Sequence, residues 1–183
     1  TDMALDLLTE PMDLIGHSFG GTVALRLAIE RPEMVRSMSL LEPVMMAIAK
    51  ADTPQIADAL MQKMAGFYQA LKDGRHEFAA RMFTQMYGDG RPWESLPDES
   101  REAITHRIHL IGAGHRGVNE DHYDLIGTGK LEQITAPTLI VDGGQGGAVM
   151  DSVCEGLARR IPNSTRVRIS GGGHMVPLPR PAA

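Results

Sequence analysis

Leu14-Ile15-Gly16-His17-Ser18-Phe19-Gly20-Gly21 decides how this chain reads. It is the end of a strand, a very tight turn and the start of a helix, with Gly16-x-Ser18-x-Gly20 at its centre. A turn of this kind forces the serine into a strained backbone conformation and holds its hydroxyl above the edge of a sheet. Gly16 and Gly20 are expected to be required, because a side chain at either would collide with the neighbouring strand or helix. The surroundings agree. Met12, Leu14 and Ile15 form an apolar run before the turn, and a helix-like run from Thr22 to Glu30 follows it.

Outward from this turn, Thr1 to Glu10 reads as the last part of a helix, ended by Pro11. Met12 to Ile15 reads as a short buried strand, and Phe19 to Glu30 as a helix. Its small residues Gly20, Gly21, Ala24 and Ala28 would let it pack closely on a sheet. Arg31-Pro32-Glu33 closes it, since the residue before a proline disfavours helix. Val35 to Leu41 is the next strand.

The alternation of strand and helix then breaks. Ile56, Leu60, Met64, Phe67 and Leu71 recur at three- and four-residue spacings and give one apolar helical face. Phe78, Met82, Phe83 and Met86 continue such a pattern. Pro92-Trp93 and Leu96-Pro97-Asp98 are turn signals, and Asp98 to Glu102 opens a further helix. Ile104, Ile108 and Ile111 follow at helical spacing. Core pattern resumes in Pro137 to Val141. Gly143 to Gly147 reads as a flexible loop, Val149 to Arg160 as a helix, and Thr165 to Ile169 as an alternating strand with Val167 and Ile169 on one face. The organisation expected is a core from 1–42, a helical insertion over 43–131, and a return to the core over 132–183.

A chain of 183 residues with 43% apolar content suits one domain with a sizeable core. There are 12 methionines and few aromatics. Most of these methionines are expected to fill core gaps, and a Met-rich pocket would accept irregular apolar shapes. The net charge of −5, with no long basic run, argues against a nucleic-acid partner. Cys154 is the single cysteine, so no intrachain disulfide can form; this suits a reducing compartment, and a cytoplasmic location is expected. No apolar stretch has the length of a membrane span. Neither a dinucleotide fingerprint nor a P-loop occurs, so no organic cofactor is expected. His106 and His109 lie three apart, but no carboxylate or cysteine completes a metal site around them. His76 and His122 are expected to be exposed.

Three motifs in this order resemble the α/β-hydrolase superfamily, in its group of small bacterial hydrolases with a helical cap. Gly16-His17-Ser18-Phe19-Gly20-Gly21 is similar to the nucleophile elbow. Ala136-Pro137-Thr138-Leu139-Ile140-Val141-Asp142-Gly143 is similar to the strand that leads to the acid loop. Ile169-Ser170-Gly171-Gly172-Gly173-His174-Met175-Val176-Pro177 is similar to the loop that bears the histidine. The likeness extends over nearly the whole chain. It implies an α/β fold, a mostly parallel sheet flanked by helices, with a helical cap inserted after Glu42. In the family such a roof selects substrate and excludes water. Several family strands precede the elbow, and one of their loops supplies an oxyanion-hole amide. The sequence from Thr1 to Ala183 shows no counterpart of these strands or of the family's usual closing helix, so against this resemblance a fragment, or an incomplete gene product, is expected.

The same resemblance assigns roles. Ser18 would be the nucleophile, and His174 the base that takes its proton. The backbone N–H of Phe19, the residue after the nucleophile, would face the developing oxyanion. The acid of most members is an aspartate three residues after the glycine that ends its strand, and Gly146 stands there instead. We place the acid at Glu42, a position some members use, with Asp142 as the alternative and a missing acid as the third reading. Asp151 is expected to cap the following helix. His17 would pack beneath the cap or line the substrate pocket.

The activity implied is hydrolysis of a small or medium apolar ester or lactone through an acyl-enzyme on Ser18. Carbon–carbon bond hydrolysis and acyl transfer use the same triad and stay open. Dehalogenation by an alkyl-enzyme route needs an aspartate at position 18 and is disfavoured. A non-catalytic hydrolase-like binding protein, or an inactive fragment, is the reading from another class, prompted by Gly146 and by the missing first part. The expected partner is a small apolar molecule.

Overall fold

The computed structural model describes residues 2–177. Strands β1 (Met12–His17), β2 (Val35–Leu41), β3 (Thr138–Gly144) and β4 (Ser164–Gly172) form one sheet in chain order, with every pairing parallel. Parallel neighbours need a crossover, and helices supply it. Helix α2 (Phe19–Glu30) packs on β1 and β2, and a C-terminal helix, α9 (Gly147–Arg160), packs on β3 and β4. A short α1 (Asp2–Asp6) precedes β1.

The bounds of α2 are those the sequence indicates. The Arg31 N–H closes the helix on Leu27 O at 2.8 Å, and Pro32 then opens a single 3₁₀ turn, Pro32–Met34. The helix-covered side of the sheet presents Leu14, Met38, Leu40 and Ile140 to the main apolar cluster, which also takes in Leu25 and Ala28 of α2 and Val153, Cys154 and Leu157 of α9. The alternate strand positions point the other way. Among them Ile15 is 77% exposed, and Leu139, Val167 and Ile169 are exposed as well. Val167 and Ile169 do share a face, but it is the uncovered one.

Between β2 and β3 the chain is helical: α3 (Met46–Asp52), α4 (Pro54–Lys72), α5 (His76–Tyr87), α6 (Asp98–Arg107), α7 (His109–Ala113) and α8 (His115–Asn119). Met64, Phe67, Ala70, Ala79, Ala80, Trp93, Leu96 and Ile108 form a second apolar cluster. Phe67, Phe83 and Tyr87 make a row of rings, with centroids 5.7 and 5.0 Å apart. Met45, Ile48 and Ala49 join the cluster of the sheet instead, because α3 lies against α9. Of the methionines, Met38, Met45, Met46, Met64 and Met150 are buried, as gap-fillers should be.

Several details depart from expectation. The first helix ends at Asp6 rather than at Glu10, and β1, expected to be buried, has one face open, with Asp13 and Ile15 exposed. Ile104, Ile108 and Ile111 do not share one helix: α6 ends at Arg107 and α7 starts at His109, so the chain breaks at Ile108, and it breaks again at Gly114 before α8. Strand β3 continues through Gly143 and Gly144, because Gly143 lies so close to the Gly172 backbone that a Cβ would stand 2.4 Å from its carbonyl oxygen. Gly20 would also accommodate a Cβ, with nothing within 4 Å, so only Gly16 of that pair is sterically required.

Candidate active site

Ser18, Glu42 and His174 all leave the carboxyl ends of parallel strands, where ligands of open α/β sheets bind. Ser18 follows β1 with φ 55° and ψ −122°, a conformation that an L-residue adopts only when its surroundings impose it. They do so here. A Cβ on Gly16 would meet the Gly20 carbonyl oxygen at 2.5 Å, so the first turn of α2 folds directly over the strand end. The Ser18 N–H is tied to Leu41 O at 3.0 Å, and the Gly21 N–H to Ser18 O at 3.0 Å. Phe19 opens α2, so its N–H has no partner inside the helix and stands beside the serine.

Glu42 follows β2, also with a left-handed backbone, φ 48°. Its side chain is fully buried. The Gly143 N–H donates to Oε1 at 2.5 Å, which partners one oxygen of a carboxylate that burial would otherwise penalise. The other oxygen, Oε2, lies 3.4 Å from Nδ1 of His174. Nε2 of the same ring lies 2.9 Å from the Ser18 Oγ. A carboxylate can only accept, so in the neutral ring the proton sits on Nδ1, and Nε2 is left to accept from the hydroxyl. That is the arrangement a general base needs.

Gly146, where the family's usual aspartate is missing, lines the space that the Glu42 carboxylate fills. A Cβ on Gly146 would stand 3.1 Å from Glu42 Oε2 and 2.6 Å from Met150 Cβ. Asp142, the alternative acid, does not meet His174. It is buried and accepts from Arg166 Nε at 2.9 Å, from Arg168 Nε at 2.7 Å and from the Gly144 N–H at 3.1 Å. Asp151 does not cap α9 either: the cap position is Gly146, without a side-chain bond, and Asp151 pairs with Arg166 and Arg168. Together with Glu155, these groups form an ion network across β4 and α9. The reason is register. Residues 142, 166 and 168 occupy the helix-covered side of the sheet, away from the histidine.

His17 contacts the histidine itself. Its Nε2 donates to the His174 carbonyl oxygen at 2.7 Å, and the two rings are 5.1 Å apart. Tyr87, which the sequence did not single out, sets its ring edgewise against His174 at 5.5 Å. Burial, with Tyr68 nearby, pushes the Tyr87 phenol up to about 12. The helical pattern through Phe83 and Met86 marks this face of α5 as apolar, and Tyr87 lies next to it in sequence. His106 and His109 meet through Nδ1 of His109 and the His106 carbonyl at 2.9 Å, and among the described residues no group of three or more His, Cys, Asp or Glu is placed to hold a metal. His76 and His122 are exposed, as expected.

A parallel sheet with a serine, a histidine and a buried carboxylate at its strand ends defines a class of protein. The chain belongs to the alpha/beta hydrolase fold family, whose model matches residues 7–181. It is 27% identical over 167 residues to the pimeloyl-[acyl-carrier protein] methyl ester esterase of Neisseria meningitidis serogroup B, covering 90% of this chain and 62% of that protein. The chain therefore spans about 62% of the length of this curated relative. Over 51 residues it is 39% identical to lipase LipV of Mycobacterium tuberculosis, a match to 28% of this chain and 19% of the lipase. Among solved structures it is similar in fold to the bromoperoxidase from Bacillus anthracis, with a TM-score of 0.67, 18% identity, and coverage of 94% of this chain and 64% of the other. It is similar likewise to MenH from S. aureus, with a TM-score of 0.60, 22% identity, and coverage of 96% and 65%. No helix among the described residues is long and apolar enough to cross a membrane.

Proposed function

We propose that the chain carries the reacting groups of a serine hydrolase that cleaves small or medium apolar esters or lactones. The observation that supports this most is the line of contacts from Ser18 Oγ to His174 Nε2, at 2.9 Å, and from His174 Nδ1 to Glu42 Oε2, at 3.4 Å. The esterase and lipase names of its relatives point the same way.

In this reading His174 Nε2 takes the hydroxyl proton as Ser18 Oγ attacks the ester carbonyl carbon. The buried Glu42 carboxylate stabilises the imidazolium that forms. The Phe19 N–H, at the positive end of α2, faces the oxyanion. As the tetrahedral intermediate collapses, the proton on Nε2 goes to the departing alcohol oxygen and leaves an acyl-serine. Water, deprotonated by the same nitrogen, then attacks the acyl carbon. The acid is released and Ser18 takes back its proton. Residues 43–131 would roof the serine, with Tyr87 and Phe83 offering an apolar wall to the acyl group.

Turnover of p-nitrophenyl butyrate tests the proposal. Activity that is lost in Ser18→Ala supports it. Activity that survives in Ser18→Ala overturns the assignment of the nucleophile.

A further inference from the structure

We propose that His17 is a positioning residue that ties the backbone of His174 to the strand end bearing Ser18. The inference rests on the reading of His174 as the base. His174 follows Gly171-Gly172-Gly173, and Gly171 has φ 75°, so the segment entering the histidine has little stiffness of its own. Two bonds hold the base of this loop, from the Gln145 N–H to Gly172 O and from the Val176 N–H to Gly173 O, each at 3.0 Å. Neither engages His174.

The contacts of the ring do not fix it continuously. Its distance of 3.4 Å from Glu42 is longer than an ordinary hydrogen bond. Its bond to Ser18 must break in each turnover, when the serine becomes acylated. The bond from His17 Nε2 to the His174 carbonyl is shorter, at 2.7 Å, and involves no reacting atom. A carbonyl only accepts, so His17 carries its proton on Nε2, and the bond persists whether the base is charged or neutral. His17 is the last residue of β1, in register with Leu41 of β2, and it adjoins Ser18 in sequence. One imidazole thus carries the rigid frame of the serine across to a loop distant in the chain. A group-to-group shift of about 1 Å can cost about 10²-fold in rate, so such a tether acts on kcat.

Three variants decide the matter: His17→Phe and His17→Leu, which remove the donor, and His17→Gln, which retains one. With p-nitrophenyl butyrate, both apolar variants are expected to lower kcat by about 10- to 100-fold, with KM within about 2-fold, and His17→Gln to recover much of the loss. Long-range ¹H–¹⁵N spectra of the folded variants give a readout independent of turnover. The single Nδ1–H tautomer of His174 in the parent chain is expected to become a mixture in the apolar variants and to return in His17→Gln. Unchanged kcat with unshifted His174 signals overturns the proposal, as does a fall in kcat that spares those signals. Turnover independent of Ser18, with the His174 tautomer still responding to His17, would count against the hydrolase reading and leave the tether standing.

Discussion

Glu42 and Gly146 share one space: the carboxylate of one lies beside the missing Cβ of the other, with 3.1 Å between Oε2 and the position that Cβ would take. A side chain at position 146 would crowd this carboxylate and, more tightly, the Met150 side chain. Gly146→Ala is expected to destabilise the fold by about 1–3 kcal/mol, because the added methyl meets both the carboxylate and the Met150 Cβ on the helix. Urea unfolding of the two proteins measures this. The same variant should lose ester turnover beyond its loss of folded protein, since the carboxylate must shift.

Glu42→Gln and Asp142→Asn separate the two carboxylates by their effects. The first keeps shape and leaves an oxygen for the Gly143 N–H, but it removes the charge facing Nδ1 of His174. kcat for p-nitrophenyl butyrate is expected to fall by about 10³- to 10⁴-fold with little change in melting temperature. The second strips a buried partner from Arg166 and Arg168 and should cost about 1–3 kcal/mol of stability. Its folded fraction should label with a fluorophosphonate at the parent rate.

The hydroxyl of Thr22 on α2 is, among the described residues, a buried side-chain oxygen without a hydrogen-bond partner. Thr22→Val exchanges that oxygen for a methyl of nearly the same size. The variant is expected to be neutral or more stable by up to about 1 kcal/mol, read from the urea midpoint.

Cys154 is fully buried, and burial, with Asp142 nearby, pushes its thiol up to about 12. In the unfolded chain it ionises near its ordinary value. Between pH 9 and 12 the unfolded state therefore holds fewer protons than the folded state, and stability falls as pH rises through that window. Tyr87, also raised to about 12, adds to the fall above pH 10. Urea midpoints at pH 8, 9.5 and 10.5 should decline in that order. Iodoacetamide at pH 8.5 should leave the native thiol unmodified and alkylate it once urea is added.

The parts of this fold that read plainly in the sequence are those with strong local signals. Pro32 and the apolar run of Val35–Leu41 set limits that the elements keep, and the spacing of Ile56 to Leu71 lies within α4, whereas the first helix stops at Asp6, well short of Pro11. The lone serine between glycines marked its own turn. Glycines misled where their reason was tertiary: Gly143 and Gly144 read as a loop, yet Gly143 lets β3 and β4 approach closely, and Gly20 is not needed for space. The aspartates misled through register. A one-residue alternation puts Asp142 among arginines on the helix side, and nothing local tells which side of a parallel strand faces a helix. Tyr87 and the His17 tether depend on contacts between segments far apart in the chain, and these leave no pattern in either segment.

Asp142, Asp151, Glu155, Arg166 and Arg168 bind β4 to α9 by ion pairs, several of them half open to solvent. Dissolved salt screens charges that water reaches and leaves buried ones largely alone. Glu42, on the other side of β3, is fully buried. Ionic strength therefore acts on the flank of the sheet that carries the histidine loop far more than on the carboxylate that faces it.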